Sequence, residues 1–213
     1  MYKETAAIII LGIAVTLIFV ASPRYAQFIW MAVSGVGFLG IFLALESYRL
    51  ERLAIWRNPE KYEKGYQTLQ GLYAIGSGGL FGRGLGNSVQ KLGFLPEAQN
   101  DMIFSIVCEE LGLVGAGTII VLFLILIWRF FVIATHAPDL FGALIAAGAM
   151  AHMMIQVILN IAVVTNSIPN TGITLPFISY GGTSVVFLLL EMGLVLSLSL
   201  IHISEPTRLQ LIS

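Results

Sequence analysis

The chain has 213 residues, 57% of them hydrophobic and 11% charged, with a mean hydropathy of +0.90, whereas a soluble domain carries about 25% charged residues. So little charge cannot cover a water-facing surface, which excludes an ordinary soluble domain and points to a lipid-facing one. A net charge of -1 excludes a basic field for nucleic acid, and one cysteine, Cys108, excludes an internal disulfide framework and a multi-cysteine metal site.

The first apolar run is 6–22. The Met1-Tyr-Lys-Glu-Thr segment before it carries one Lys and one Glu, and no A-x-A-like cleavage site follows. It is therefore expected to be a spanning helix and not a signal peptide. Four more apolar segments follow, at 27–45, 111–133, 140–164 and 184–203. Each is near the ~20 residues a helix needs to cross about 30 Å of hydrocarbon, where backbone polar groups must be satisfied internally. The expected fold class is an all-α polytopic membrane helix bundle with five spans. Gly35, Gly37 and the glycines between 112 and 117 suit close helix packing.

The connection 46–101 holds seven of the eleven Lys+Arg and six of the twelve acids. It has neither the sustained alternation nor the long helical period of a soluble domain. Arg49–Trp56 is amphipathic and suits the membrane interface. Tyr66–Ile75 is a second short helix, and the glycine-dense stretch Gly76–Gly86 is irregular. Basic residues counted alone would put this loop in the cytoplasm.

The chemistry concentrates where that loop meets the third span. Asp101 follows Pro96 and precedes a long apolar run, so it sits near the membrane–water boundary at a helix start. There it serves either as an N-cap or as a general base for a sugar hydroxyl. Arg83 and Lys91 flank the segment beside a glycine-rich loop and suit a diphosphate. Glu109 and Glu110 lie two turns further on. On a continuous helix they fall about 80° and about 180° from Asp101, which favours Glu109 for the same cavity. His152 and Gln156, at i and i+4 in the fourth span, suit interhelical hydrogen bonds, and Glu191 is an intramembrane acid without an assigned partner.

A polar run of Asn160, Asn166, Ser167, Asn170 and Thr171 closes the fourth span. Gly172–Ser184, broken by Pro176 and Gly181-Gly182 and containing Ser179 and Tyr180, reads as a re-entrant or interfacial loop on the same side as Asp101. Two polar loops on one face imply a shared cavity. Residues 204–213 are polar, contain Pro206 and read as a tail without fold content. There is no G-x-S-x-G, no H-E-x-x-H and no histidine cluster.

Three stretches carry a resemblance. Leu95-Pro-Glu-Ala-Gln-Asn-Asp-Met-Ile-Phe and the following Glu109-Glu-Leu-Gly112 resemble the LPEAHTDFIF…EELG signature of the FtsW/RodA/SpoVE (SEDS) family. Asn170-Thr-Gly-Ile-Thr-Leu-Pro-Phe-Ile-Ser-Tyr-Gly-Gly-Thr-Ser184 is similar to the family's second signature, and Gln70–Gly86 to the loop before the first. The likeness covers roughly residues 5–203 and is closer to FtsW/SpoVE than to RodA. Gln99-Asn100 stand where the family has His-Thr, and 204–213 does not resemble the family's basic C-terminus.

The resemblance implies a ten-span fold with cytoplasmic ends, of which 1–203 is the C-terminal half, with loop 46–101 extracytoplasmic against the naive charge count. It implies a peptidoglycan glycosyltransferase in the bacterial plasma membrane that polymerises lipid II during division or wall growth. It also implies a class B penicillin-binding protein and other divisome proteins as partners, with membrane lipid around it. Its catalytic Asp maps onto Asp101. Arg83, Lys91, Glu109, Asn170, Thr171, Ser179 and Tyr180 are the accompanying substrate-binding candidates. The resemblance implies no cofactor with certainty; a divalent cation such as Mg2+ has a place at the leaving diphosphate, and the sequence offers no dedicated site for it. The competing readings are a lipid II flippase or transporter, and a non-catalytic division scaffold.

Overall fold

The computed structural model describes residues 2–22, 30 and 47–210. Among them the chain is helical, without a strand. Among the described residues three helices are long and apolar enough to cross a membrane: Ile103–His136, Leu140–Val164 and Gly182–Ser199, with mean hydropathies of 2.6, 1.8 and 1.8. The chain is an integral membrane protein of the helical-bundle class. The expected span 27–45 lies outside the described residues, apart from residue 30.

The first helix, α1 (Tyr2–Ala21), packs along α5 (Leu140–Val164), which also packs on α4 (Ile103–His136). Small side chains make this possible, since Ala146, Ala147, Ala149 and Ala151 are all buried on α5. Lipid tails give no hydrophobic drive between helices, so close approach of small residues supplies the packing energy. The last helix, α6 (Gly182–Gln210), leans on α5 and α4. It runs through Pro206 as far as Gln210, so most of the stretch expected to be a structureless tail continues a helix.

Outside the spans lie two short helices, α2 (Ser47–Arg57) and α3 (Tyr66–Gly78). Trp56 Nε1 donates to the carbonyl of Asn166 at 2.9 Å, tying α2 to the α5–α6 connection. Helix α3 lies along the first turns of α4, and Gly78 is obligatory there: a Cβ on it would stand 1.9 Å from the carbonyl oxygen of Cys108.

The third expected span, 111–133, is longer at both ends and is broken inside. At Gly112 the backbone takes φ 67°, ψ -167°, which interrupts the α-helix. An intact ladder would join Leu113 N–H to Glu109 O and Val114 N–H to Glu110 O. Instead, the segment 79–84 is spliced between them. Arg83 N and Gly84 N donate to Glu109 O and Glu110 O, both at 2.9 Å, while Leu113 N and Val114 N donate to Gly79 O (2.9 Å) and Leu80 O (3.1 Å). The glycine-dense loop thus satisfies the groups that the break exposes, as a membrane-bounded backbone requires.

Candidate active site

Asp101 sits in a turn, not on the helix. The N-cap of α4 is Met102, with no side-chain cap bond, and α4 begins at Ile103. The capping reading of Asp101 therefore does not describe its carboxyl. Nor does the helical wheel drawn from Asp101 reach Glu109, because the helix does not include Asp101.

The carboxyl of Asp101 is covered, with the residue 6% exposed. Its Oδ1 accepts from Gln67 Nε2 on α3 at 3.4 Å, and Gln67 Oε1 accepts from Asn170 Nδ2 at 3.2 Å. Asn170 Oδ1 in turn accepts from Gly172 N at 3.0 Å. Burial raises the Asp101 pKa from 3.8 to about 6; a hydrogen bond from its own backbone opposes the shift and the charge of Glu97 adds to it. The result is a carboxyl that is ionised at neutral pH yet basic enough to take a proton.

The main chain around it is pinned by the second signature loop. Asn160 Nδ2, fully buried on α5, donates to Asp101 O at 2.8 Å and to Ile173 O at 2.7 Å. Ser179 Oγ donates to Asn100 O at 2.6 Å and accepts from Leu175 N at 2.7 Å. Tyr180 N donates to Gln99 O at 2.8 Å, while the Tyr180 side chain is exposed. Thr171 is half-buried beside Asn170. The two signature stretches, far apart in sequence, thus meet through hydrogen bonds from Tyr180 N and Ser179 Oγ to the carbonyls of residues 99 and 100.

A cleft of ≈ 550 Å³ opens beside this junction, with Lys91, Glu97, Gln99 and Asn100 on its polar wall and Ile103 and Ile106 on the apolar one. Asp101 is not among its lining residues; it is covered immediately behind Asn100 in the chain. Arg83, Lys91 and Glu109 gather in a second cluster. Arg83 pairs with Glu109 at 3.5 Å and Lys91 with Glu110 at 2.6 Å. Glu109 is 1% exposed, and its oxygens take up donors of residues 83–90. Among the described residues no three Asp, Glu, His or Cys side chains converge as a cation site.

In the bilayer, His152 Nδ1 lies 2.8 Å from Glu191 Oε2, which gives Glu191 its partner. His152 stands twelve residues from either end of α5, near the midplane. Gln67 and Asn160 are the site residues that motif reasoning passed over. Gln67 lies on α3, a short helix that also holds Gln70, and nothing in the local pattern singles it out. Asn160 did stand in the polar run noticed at the end of the fourth span.

The family model described as "Cell cycle protein" (FtsW/RodA/SpoVE) matches residues 3–202. The chain belongs to the FtsW/RodA/SpoVE family. It is 46% identical over 194 residues to Stage V sporulation protein E of Bacillus subtilis, covering 90% of this chain and 53% of that protein. It is 42% identical over 199 residues to "Probable peptidoglycan glycosyltransferase FtsW" of Coxiella burnetii, covering 91% and 54%. Among solved structures, a peptidoglycan synthase complex whose polymerization and crosslinking are coordinated superposes with a TM-score of 0.72 at 26% identity, over 93% of this chain and 55% of that one. The chain spans about half the length of the curated relatives it matches.

Proposed function

We propose that this chain forms the catalytic half of a peptidoglycan glycosyltransferase that polymerises lipid II. The observation that carries the reading is the covered carboxyl of Asp101, raised to about 6 where the two signature loops meet. In this mechanism the Asp101 carboxylate takes the proton from the 4-hydroxyl of the acceptor sugar. The freed oxygen bonds to the anomeric carbon of the donor, the bond from that carbon to the diphosphate oxygen breaks, and undecaprenyl diphosphate leaves with the electron pair. One displacement inverts the anomeric centre. The Gln67 amide orients the carboxyl, and Asn160 and Ser179 hold its backbone.

The diphosphate belongs in the cleft that Lys91 lines, with Arg83 contributing positive field from the adjoining cluster. Asn170, Thr171 and the exposed ring of Tyr180 are assigned to the sugar side. Glu109 is assigned to the loop and not to the substrate. Loop 46–101 faces the outside of the bacterial plasma membrane, where lipid-linked sugar is consumed, and a class B penicillin-binding protein is the partner that cross-links the product. Membership of the family supports this side of the membrane over the naive count of basic residues.

The test is polymerisation of purified lipid II by the complete protein. Polymer formation that disappears in Asp101→Asn is the expected result. Translocation of lipid II without polymer, indifferent to Asp101, would replace the reading with a transporter. Binding to a penicillin-binding protein with neither activity would replace it with a scaffold.

A further inference from the structure

Glu109 and Glu110 collect an unusual number of donors from one loop. Glu109 accepts from Ser88 Oγ, from Val89 N at 3.2 Å and from Gln90 N at 3.3 Å, with Arg83 at 3.5 Å. Glu110 accepts from Gly86 N at 3.0 Å, Ser88 N at 3.3 Å and Lys91 Nζ at 2.6 Å. Ser88 Oγ closes the ring by accepting from Lys91 N at 3.2 Å. Covering carboxylates is costly unless they are paired and hydrogen-bonded. If neutralising two acids were all that was required, the two cations would suffice. In this loop the main-chain N–H groups of Gly86, Ser88, Val89 and Gln90 are drawn in as well, so the carboxylates define its path.

That path ends at Lys91, which lines the cleft beside Asn100 and is 34% exposed. An ammonium has three donors. Glu110 engages one, so the others are left to an anion in the cleft. The adjacent helix break fixes the far side of the same loop, through Arg83 N and Gly84 N on the carbonyls of these two glutamates.

We propose that Glu109 and Glu110 are positioning residues that wrap loop 83–91 around their carboxylates and so hold the Lys91 ammonium at the cleft edge for a diphosphate. The proposal rests on the cleft being the diphosphate site of the glycosyltransferase. It makes an unusual prediction of sign. Deleting a negative charge next to Lys91 should tighten anion binding if the glutamates act only through their charge. If they act by placing the loop, the same deletion weakens it.

The experiment uses the complete protein in lipid nanodiscs, with inorganic pyrophosphate as the probe and amide hydrogen exchange read at the loop. In Glu110→Gln and Glu109→Gln we expect pyrophosphate affinity to fall about tenfold, the scale of one lost charge-assisted hydrogen bond, with faster exchange at Gly86 and Ser88 for the first and at Val89 and Gln90 for the second. Lys91→Met should weaken pyrophosphate similarly while leaving Val89 and Gln90 protected. Tighter or unchanged pyrophosphate binding in the two glutamine variants overturns the proposal, as does unchanged exchange. A wild-type chain that takes up no pyrophosphate overturns the cleft assignment and with it the anion-binding role of Lys91, while the exchange data still decide whether the glutamates hold the loop.

Discussion

The side-chain amide of Gln67 donates to Oδ1 of Asp101 across 3.4 Å, so a neutral group and not a cation faces this covered carboxyl. A neutral donor stabilises the carboxylate only modestly and leaves burial to dominate its proton affinity. Gln67→Glu would set a second negative charge there. The acidic limb of the lipid II polymerisation rate should then move to higher pH, measured as the profile of kcat/KM, while Gln67→Met should lower the rate with a smaller displacement of the limb.

The pH dependence of the native site follows from the same carboxyl. Asp101 works as a base only when ionised, so the rate should rise as pH increases through about 6 and level off above it. Stability should run the other way. The folded carboxyl keeps its proton up to about pH 6, whereas an unfolded one releases it near 3.8, so the folded state loses stability as pH rises through that window. Asp101→Asn should therefore stabilise the chain at pH 8 by about 3 kcal/mol and by much less at pH 4, read from thermal unfolding in detergent.

Asn160 holds two carbonyls with one amide group. Asn160→Leu leaves Asp101 O and Ile173 O without that donor in a buried place. The expected cost is about 2–4 kcal/mol, on the scale of buried unsatisfied groups, with a further loss of polymerisation rate as residue 101 shifts. Thermal unfolding and the lipid II assay together check this.

Gly112→Ala should be among the most damaging small substitutions in the chain. The residue is at φ 67°, and a Cβ would meet Gly82 N at 2.3 Å and Leu80 O at 2.5 Å. Strain and clash together should cost about 3 kcal/mol or more, with faster hydrogen exchange at Leu113 and Val114.

His152 and Glu191 should couple in a double-mutant cycle. His152→Leu alone strands an acid near the bilayer midplane, while His152→Leu with Glu191→Leu removes both polar groups and should recover most of the loss. A coupling of about 0.5–2 kcal/mol is expected for a polar pair between membrane helices, measured by unfolding in mixed micelles.

Much of this was legible in the chain itself. The helical membrane class followed from apolar run lengths, because lipid leaves the backbone few choices. The fourth run, 140–164, coincides with α5, Leu140–Val164, and the structure adds the cap that starts it: the side chain of Asp139 accepts from Gly142 N at 3.1 Å. The two signatures pointed to one face, and hydrogen bonds from Ser179 and Tyr180 to residues 99 and 100 join them there. What stayed hidden depended on distance along the chain. Gln67 reaches Asp101 across 34 positions, Asn160 across 59, and Asn170 reaches Gln67 across 103. Local pattern carries no trace of such partners. Glu109 was misdirected for a different reason: a helical wheel assumes a continuous helix from residue 101, and the turn at Asp101 and Met102 breaks that assumption.

The splice at Gly112 also sets how force would travel through the molecule. The short outer stub of α4, which directly follows Asp101, shares its ladder with loop 79–84 in place of the two hydrogen bonds it would have made to the rod crossing the bilayer. Loop 79–84 therefore braces the break, holding the stub with two hydrogen bonds and the rod with two more. A load on either side of Gly112 passes to the other through this loop as well as along the chain.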